Sequence, residues 1–346
     1  MKNLLRTILA AACLPAVACF SSGYAQTSSS SPYKVLDVAK VGGPGGFDYV
    51  YADSDNRHLY VPRENRIAVY DLDSLKQVGE IPNTPAVHTA TVDPKSHHGF
   101  SSSKPVVMWD SKTLATIKTI EVDGAPDGIF FDKFSSKILI LNHKGPDVTV
   151  IDSKEGKVVG TIALGGMPEQ TASDDRGHVY IALKDRDKVA VVDLSTLKMT
   201  TTYDLAGKGG TPCGLVIDAK NHLLFVTCRA PQTVVIMNSD DGKIITALPI
   251  GAGVDGAAFN PKTKEVFSSQ RDGTLTVIKE NSPTDFVVEQ TVQTKLGART
   301  CTLDKKTGKI FLITSDMSPS SPTAAGTPPA PPQMVPDSFT ILTVGK

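Results

Sequence analysis

Apolar residues in this chain fall into short runs, and many of those runs end in Asp or Asn. One set reads "FDYVYAD", "HTATVD", "DGIFFD", "EQTASD", "CGLVID", "DGAAFN" and "RTCTLD", closing at Asp53, Asp93, Asp132, Asp174, Asp218, Asn260 and Asp304. The steps between these closing residues are 40, 39, 42, 44, 42 and 44 residues, the period of a four-stranded propeller blade. A turn follows each run, and then a second apolar run such as "HLYVP", "KILIL", "HVYIA" or "LLFVT". Third runs ("IAVYD", "VVMWD", "VTVID", "VAVVD", "VVIMN") and fourth runs ("VVGTIAL", "IITALPI") complete the unit. No segment sustains a helical period, so the pattern predicts strand, turn, strand, loop, strand, turn, strand. The recurrent Asp residues are expected to close turns by accepting backbone N–H bonds two residues on.

Seven copies of the first strand are present, but the seventh lacks a fourth. The segment "YKVLDVAKVGG", residues 33–43, precedes the first repeat and has the character of a fourth strand. Pairing it with the C-terminal "SFTILTVGK" closes the ring and removes an exposed edge. The predicted fold is all-β, a seven-bladed β-propeller with four-stranded blades, the last completed by the N-terminal strand. It occupies residues 26–346 as one domain. The Pro-rich stretch 317–338 interrupts the last blade and, lacking the composition to build a core, is expected to be a disordered insert rather than a lid.

The runs "HLYVPR", "HVYIAL", "LLFVTC" and "VTVIDSKEGKVVGTIALGG" resemble the YVTN-repeat, YncE-like family of exported β-propellers across nearly the whole mature chain, although the four-letter signature is degenerate in every copy. The resemblance implies a seven-bladed fold and an envelope location. It implies little about activity, since the family includes proteins of unknown role, a single-stranded DNA binder, and relatives of lactonases and lyases.

Residues 1–25 carry Lys2 and Arg6, then the apolar "LLRTILAAACLPAVA", then "SGYA", the pattern of an export signal cleaved after Ala25. A lipoprotein reading through Cys19 is weaker because the Leu expected three places earlier is missing. The mature protein is expected to be periplasmic or secreted, monomeric, and without a transmembrane segment. The 36 basic and 36 acidic residues balance, so net charge selects no partner. Cys213, Cys228 and Cys301 remain after cleavage. Cys213 and Cys228 bracket the first hairpin of the fifth repeat and are expected to face one another as a disulfide; a soft-metal or redox pair, or free thiols, are the alternatives.

Superposing the repeats on their closing Asp or Asn puts Asp48, His88, Asp127, Glu169, Cys213, Asp255 and Arg299 in one register, at the mouth of the central channel. Such a ring is either a solvated rim or a ligand site, because clustered carboxylates beside a His can serve as acids, bases or hard-metal ligands. Just after the second strands come Arg63, Lys104, His143, Lys184, Arg229 and Arg271, a basic collar. An acidic throat inside a basic collar suits a small anionic or zwitterionic ligand. It suits nucleic acid poorly, because aromatic stacking platforms are scarce and Tyr49 and Tyr51 are expected inside a strand. The favoured function is a binding or scaffold protein for a small molecule or protein partner in the envelope. One enzymatic alternative is a lactonase-like hydrolase or lyase with a divalent metal on His88, Asp127 and Glu169. Another uses His88 and Glu169 as acid and base with Arg299 at an oxyanion. No HExxH, GxSxG, EF-hand or CxxC motif supports a named activity.

Overall fold

A computed structural model describes residues 32–318 and 333–346. Residues 1–31, which hold the expected export signal, and 319–332, most of the insert, lie outside them. Among the described residues there is no helix, and seven four-stranded antiparallel sheets follow one another around a ring. In the third blade, Pro126–Asp132, Lys137–Asn142, Asp147–Asp152 and Lys157–Ala163 lie in that order from the channel outward.

The burial of each strand follows its place in the blade. Second strands such as Lys137–Asn142 are packed on both faces, which is why they read as continuous apolar runs, while the outer Lys157–Ala163 is mostly exposed. The core lies between blades. Leu139, Leu141, Val148 and Val150 of the third blade pack on Val179, Ile181, Leu183 and Ala190 of the fourth. At the turns, Asp93 accepts from the backbone N–H of Lys95 two residues on, as expected, whereas Asp132 accepts from that of Ser135 three residues on and also from Ser173 Oγ of the next blade at 2.6 Å. Asp93 likewise accepts from Ser153 Oγ at 2.7 Å. These carboxylates therefore cap turns and tie neighbouring blades together.

The ring closes as the sequence predicts. Lys34–Lys40 pairs antiparallel with Thr340–Gly345, from Lys34 opposite Gly345 to Lys40 opposite Thr340. Tyr33 then reaches the sixth blade, donating its hydroxyl to Glu265 at 2.5 Å, and Lys346 binds the other oxygen of that carboxylate at 2.8 Å. At the base of the insert Met317 forms a β-bridge with Met334.

Arg63 departs from expectation. It is not part of the collar around the channel mouth: it is 1% exposed and lies under the linker from the closing strand to the first blade. Its guanidinium donates to the carbonyls of Gly42 (3.1 Å), Gly43 (2.5 Å), Pro44 (3.0 Å) and Gly45 (3.2 Å), and sits 3.8 Å over the ring of Phe339. Gly42, Gly43 and Gly45 all have positive φ, which turns their carbonyls inward around the cation. Arg63 thus fastens both chain ends to the first blade. Arg63→Ala should lower stability by about 2–4 kcal/mol, leaving buried carbonyls unpaired, and Arg63→Lys should recover little of it because one ammonium cannot reach four acceptors. Chemical denaturation of the three proteins is the check.

Candidate functional site: a charged cup at the channel mouth

The innermost strands reach the mouth irregularly, and the irregularity positions the site. In blades three to six the pairing of first and second strands slips at the mouth, between Pro126 and Ile129, Pro168 and Thr171, Pro212 and Gly214, and Val254 and Gly256. Asp127, Glu169, Cys213 and Asp255 fall within these bulges. In the other three blades the strands start later, at Tyr51, Ala90 and Cys301, so that Asp48, His88 and Arg299 precede them. None of the seven ring residues belongs to a regular ladder, and a bulge re-aims its side chain. The preceding Pro126, Pro168 and Pro212 have no N–H to offer a ladder, a local cause for the slip.

Six of the seven ring residues are charged or imidazole groups, and they join into a belt. Arg299 binds Asp255 at 2.5 Å and Asp48 at 3.0 Å. His88 Nδ1 lies 2.9 Å from Asp48 Oδ2 and 3.1 Å from Asp127 Oδ1. Collar residues extend the belt: His143 Nδ1 sits 3.4 Å from Asp127 Oδ2 and 3.5 Å from Glu169 Oε1, Lys184 holds Glu169 Oε1 at 2.5 Å, and Arg229 pairs with Asp255. Arg271 and Lys104 also line the mouth. Below them, Tyr49 of the first blade donates its hydroxyl to Glu169 of the fourth at 2.8 Å. This contact crosses the axis. Gln170 of the fourth blade links the two blades that follow, accepting from the N–H of Leu215 in the fifth (3.0 Å) and of Ala257 in the sixth (3.1 Å). The result is a cup of about 720 Å³ with Tyr49 in its floor.

The environment separates the protonation behaviour of the acids. Burial, opposed by His88 and reinforced by Glu169, raises Asp127 from 3.8 to about 6. Burial acts on Asp48 too, but its hydrogen bond with His88 and the charge of Arg299 outweigh it and the carboxyl is held below its usual range. The same bond to Asp48, exceeding burial, raises His88. Burial keeps the Tyr49 phenol protonated, as its role as donor to Glu169 requires.

A 153-residue segment is 29% identical to "Uncharacterized protein YncE" of Escherichia coli O157:H7, covering 41% of this chain and 42% of that protein. A 193-residue segment is 21% identical to the protein of the same name in Salmonella typhi, covering 53% of this chain and 54% of that one. The chain thus spans about half the length of the curated relatives it matches. Among solved structures, a chain of Kuenenia stuttgartiensis hydrazine synthase superposes with a TM-score of 0.68 at 16% identity, over 78% of this chain and 92% of that one, a likeness of fold alone. No family model matches the chain. The chain is a β-propeller similar over part of its length to YncE.

Within this YncE-like propeller several sequence-derived groupings dissolve. His88, Asp127 and Glu169 do not converge as one metal trio. Two overlapping groups form instead, Asp48–His88–Asp127 and Asp127–His143–Glu169. His88, Glu169 and Arg299 are not in direct contact: His88 and Arg299 are joined only through Asp48, and Glu169 is held by Lys184. Cys213 and Cys228 are free, buried thiols. The bulge sets Pro212, not Cys213, opposite Cys228, and burial pushes both thiols up to about 12, which makes them inert. Tyr49 and Gln170 escaped the sequence reading. Tyr49 precedes the Tyr51–Asp53 strand, and nothing in "FDYVYAD" shows that it crosses the axis.

Asp127 gives a pH signature. Its folded pKa of about 6 lies above the ordinary 3.8, so ionising it costs the folded state stability, a cost that appears as pH rises through about 4–6 and is complete at pH 7. Asp127→Asn should therefore raise Tm at pH 7 by about 2–4 °C, with the gain shrinking toward pH 4. Thermal unfolding of both proteins in chelator-treated buffer across pH 4–8 tests this; a gain independent of pH would contradict it.

Proposed function

We propose that this YncE-like propeller is an exported binding protein whose cup takes a compact organic anion, one small enough to enter about 720 Å³ and carrying at least one carboxylate or phosphate. The observation that carries this reading is the balance of charge in the lining. Six Lys and Arg side chains face the cup against four carboxylates, Asp48, Asp127, Glu169 and Asp255, and every one of those carboxylates already meets a cation or a His within the belt. Arg271 lines the cup with no side-chain hydrogen bond or ion pair among the described residues. An unengaged planar guanidinium at the mouth suits a carboxylate or phosphate bound through two parallel hydrogen bonds. Lys104 and Lys144 add positive field on the opposite rim and steer an anion inward.

Export is supported by the leader-like residues 1–25. A threaded nucleic-acid strand fits the cup less well, because the Tyr49–Glu169 contact crosses the axis and few aromatic faces line it.

Titration calorimetry of the mature protein against acetate, succinate, citrate and phosphate is the test. At least one should bind, and Arg271→Ala should weaken it by about tenfold or more while leaving Tm unchanged. Affinity should fall with added salt. No binding by any of the four, or binding indifferent to Arg271→Ala, overturns the proposal.

A further inference from the structure

We infer that Asp48, His88 and Asp127 form a site for one divalent first-row transition-metal ion inside the cup. The three side chains come from three consecutive blades and converge on a common point, with the ligand atoms of all three within 4.8 Å of one another. Two edges of this triangle are 2.9 Å and 3.1 Å, from His88 Nδ1 to Asp48 Oδ2 and to Asp127 Oδ1. A cation with bonds of about 2.1 Å in octahedral geometry has ligand–ligand edges of about 3.0 Å, so it fits with little movement of the side chains. One imidazole with two carboxylates is a donor set for manganese, iron or zinc rather than for calcium or magnesium, which prefer oxygen alone.

The surroundings distinguish this triad from its neighbour. Arg299 donates to Asp48 Oδ1, leaving Oδ2 turned toward His88, so the arginine orients the ligand without occupying its metal-facing oxygen. In the second group the oxygen of Glu169 nearest His143 is Oε1, and Lys184 already holds it at 2.5 Å. A metal ion there would lie against a fixed ammonium, and the two like charges would repel. Asp127 stands between the two groups, with Oδ1 toward His88 and Oδ2 toward His143. Only the first group leaves its carboxylates' facing oxygens to a metal.

Three protein ligands leave coordination positions open, and His88 is 39% exposed to the cup, so those positions face the space assigned above to the anion. A carboxylate of that ligand can bind the metal directly while Arg271 holds its other end. This last step rests on the anion reading; the metal site itself does not.

The experiment uses the full mature protein stripped with EDTA, with MnCl2 followed by calorimetry and by the electron paramagnetic resonance of bound Mn²⁺, and with ZnCl2 as competitor. The expected result is one Mn²⁺ per chain, displaced by Zn²⁺, with affinity reduced by about a hundredfold or more in His88→Ala and Asp127→Asn and unchanged within about threefold in Lys133→Ala, whose ammonium pairs with Asp175 outside the cup. His88→Gln serves as a second variant if His88→Ala does not fold. Succinate titrated with and without Mn²⁺ separates the two proposals. Succinate binding that depends on Arg271, in a protein that takes up no Mn²⁺, sinks the metal site and leaves the anion reading standing. Mn²⁺ uptake that depends on His88, without binding of any anion, upholds the metal site and sinks the other. Mn²⁺ binding that survives His88→Ala and His88→Gln, or a stoichiometry of two, overturns the assignment to this triad.

Discussion

The belt of ion pairs at the channel mouth is the constraint to which the rest of the site answers. A propeller delivers the same register position of every blade to one ring, and here that position carries ionisable groups in blade after blade. Seven is odd, so opposite charges cannot alternate all the way round. The compromise is visible. Asp255, Arg299, Asp48, His88 and Asp127 alternate across four blade seams. Asp127 and Glu169 then stand as like-charged neighbours, and His143 is inserted between them from the collar. At the fifth blade the ring position is a neutral thiol, Cys213, and the charge at that seam comes from collar residues instead, Lys184 on one side and Arg229 on the other. The cysteine sits where the alternation has to break.

This arrangement explains how a ring of charges persists beside a core. A partly buried charge is tolerated when it is paired and hydrogen-bonded, and each of the four carboxylates of the belt meets two such partners, a cation or a His. The apolar seams between blades lie outside the ring, as in the contact of the third and fourth blades through Leu139, Val150, Ile181 and Ala190. Stability is therefore carried by the seams and the closure at the chain ends, while the throat is left with one acid, Asp127, held in an ionisation state its surroundings disfavour.

How much of this could be read from the sequence follows from how local each feature is. Blades, strand order and the closing strand Lys34–Lys40 are legible because each repeat forms from consecutive residues, and its apolar runs report burial within that unit. The ring was legible for the same reason, since residues at one register position must share one height in the throat. Pairings were not. Arg63 and Arg229 occupy equivalent positions, yet Arg229 faces Asp255 while Arg63 is captured by the Gly42–Gly45 carbonyls and Phe339, which come from the two ends of the chain. Equivalent spacing also promised Cys213 opposite Cys228, but a bulge adds a residue that periodicity does not register, and Pro212 takes that place. Tyr49 shows the same limit from the other side: its partner Glu169 is 120 residues away, and only a closed ring brings them together.

The width of a seven-membered ring also limits what the cup can hold. Among the described residues the His and carboxylate groups close enough to share one ion come from neighbouring blades, as in Asp48, His88 and Asp127. His88, Asp127 and His143, which pair with no Arg or Lys, lie on blades two and three, whereas Arg229, Arg271 and Arg299 lie on blades five to seven and Lys104, Lys144 and Lys184 on blades two to four. On the anion reading proposed above, a ligand that engages both sides is larger than an ion and presents unlike faces, a hydrogen-bond donor or cationic group toward the carboxylates and an anionic group toward the arginines. Under that proposal the cup suits a molecule with two ends. That polarity arises because the ring cannot alternate its charges evenly, so the feature that frustrates perfect pairing is also what gives the site a direction.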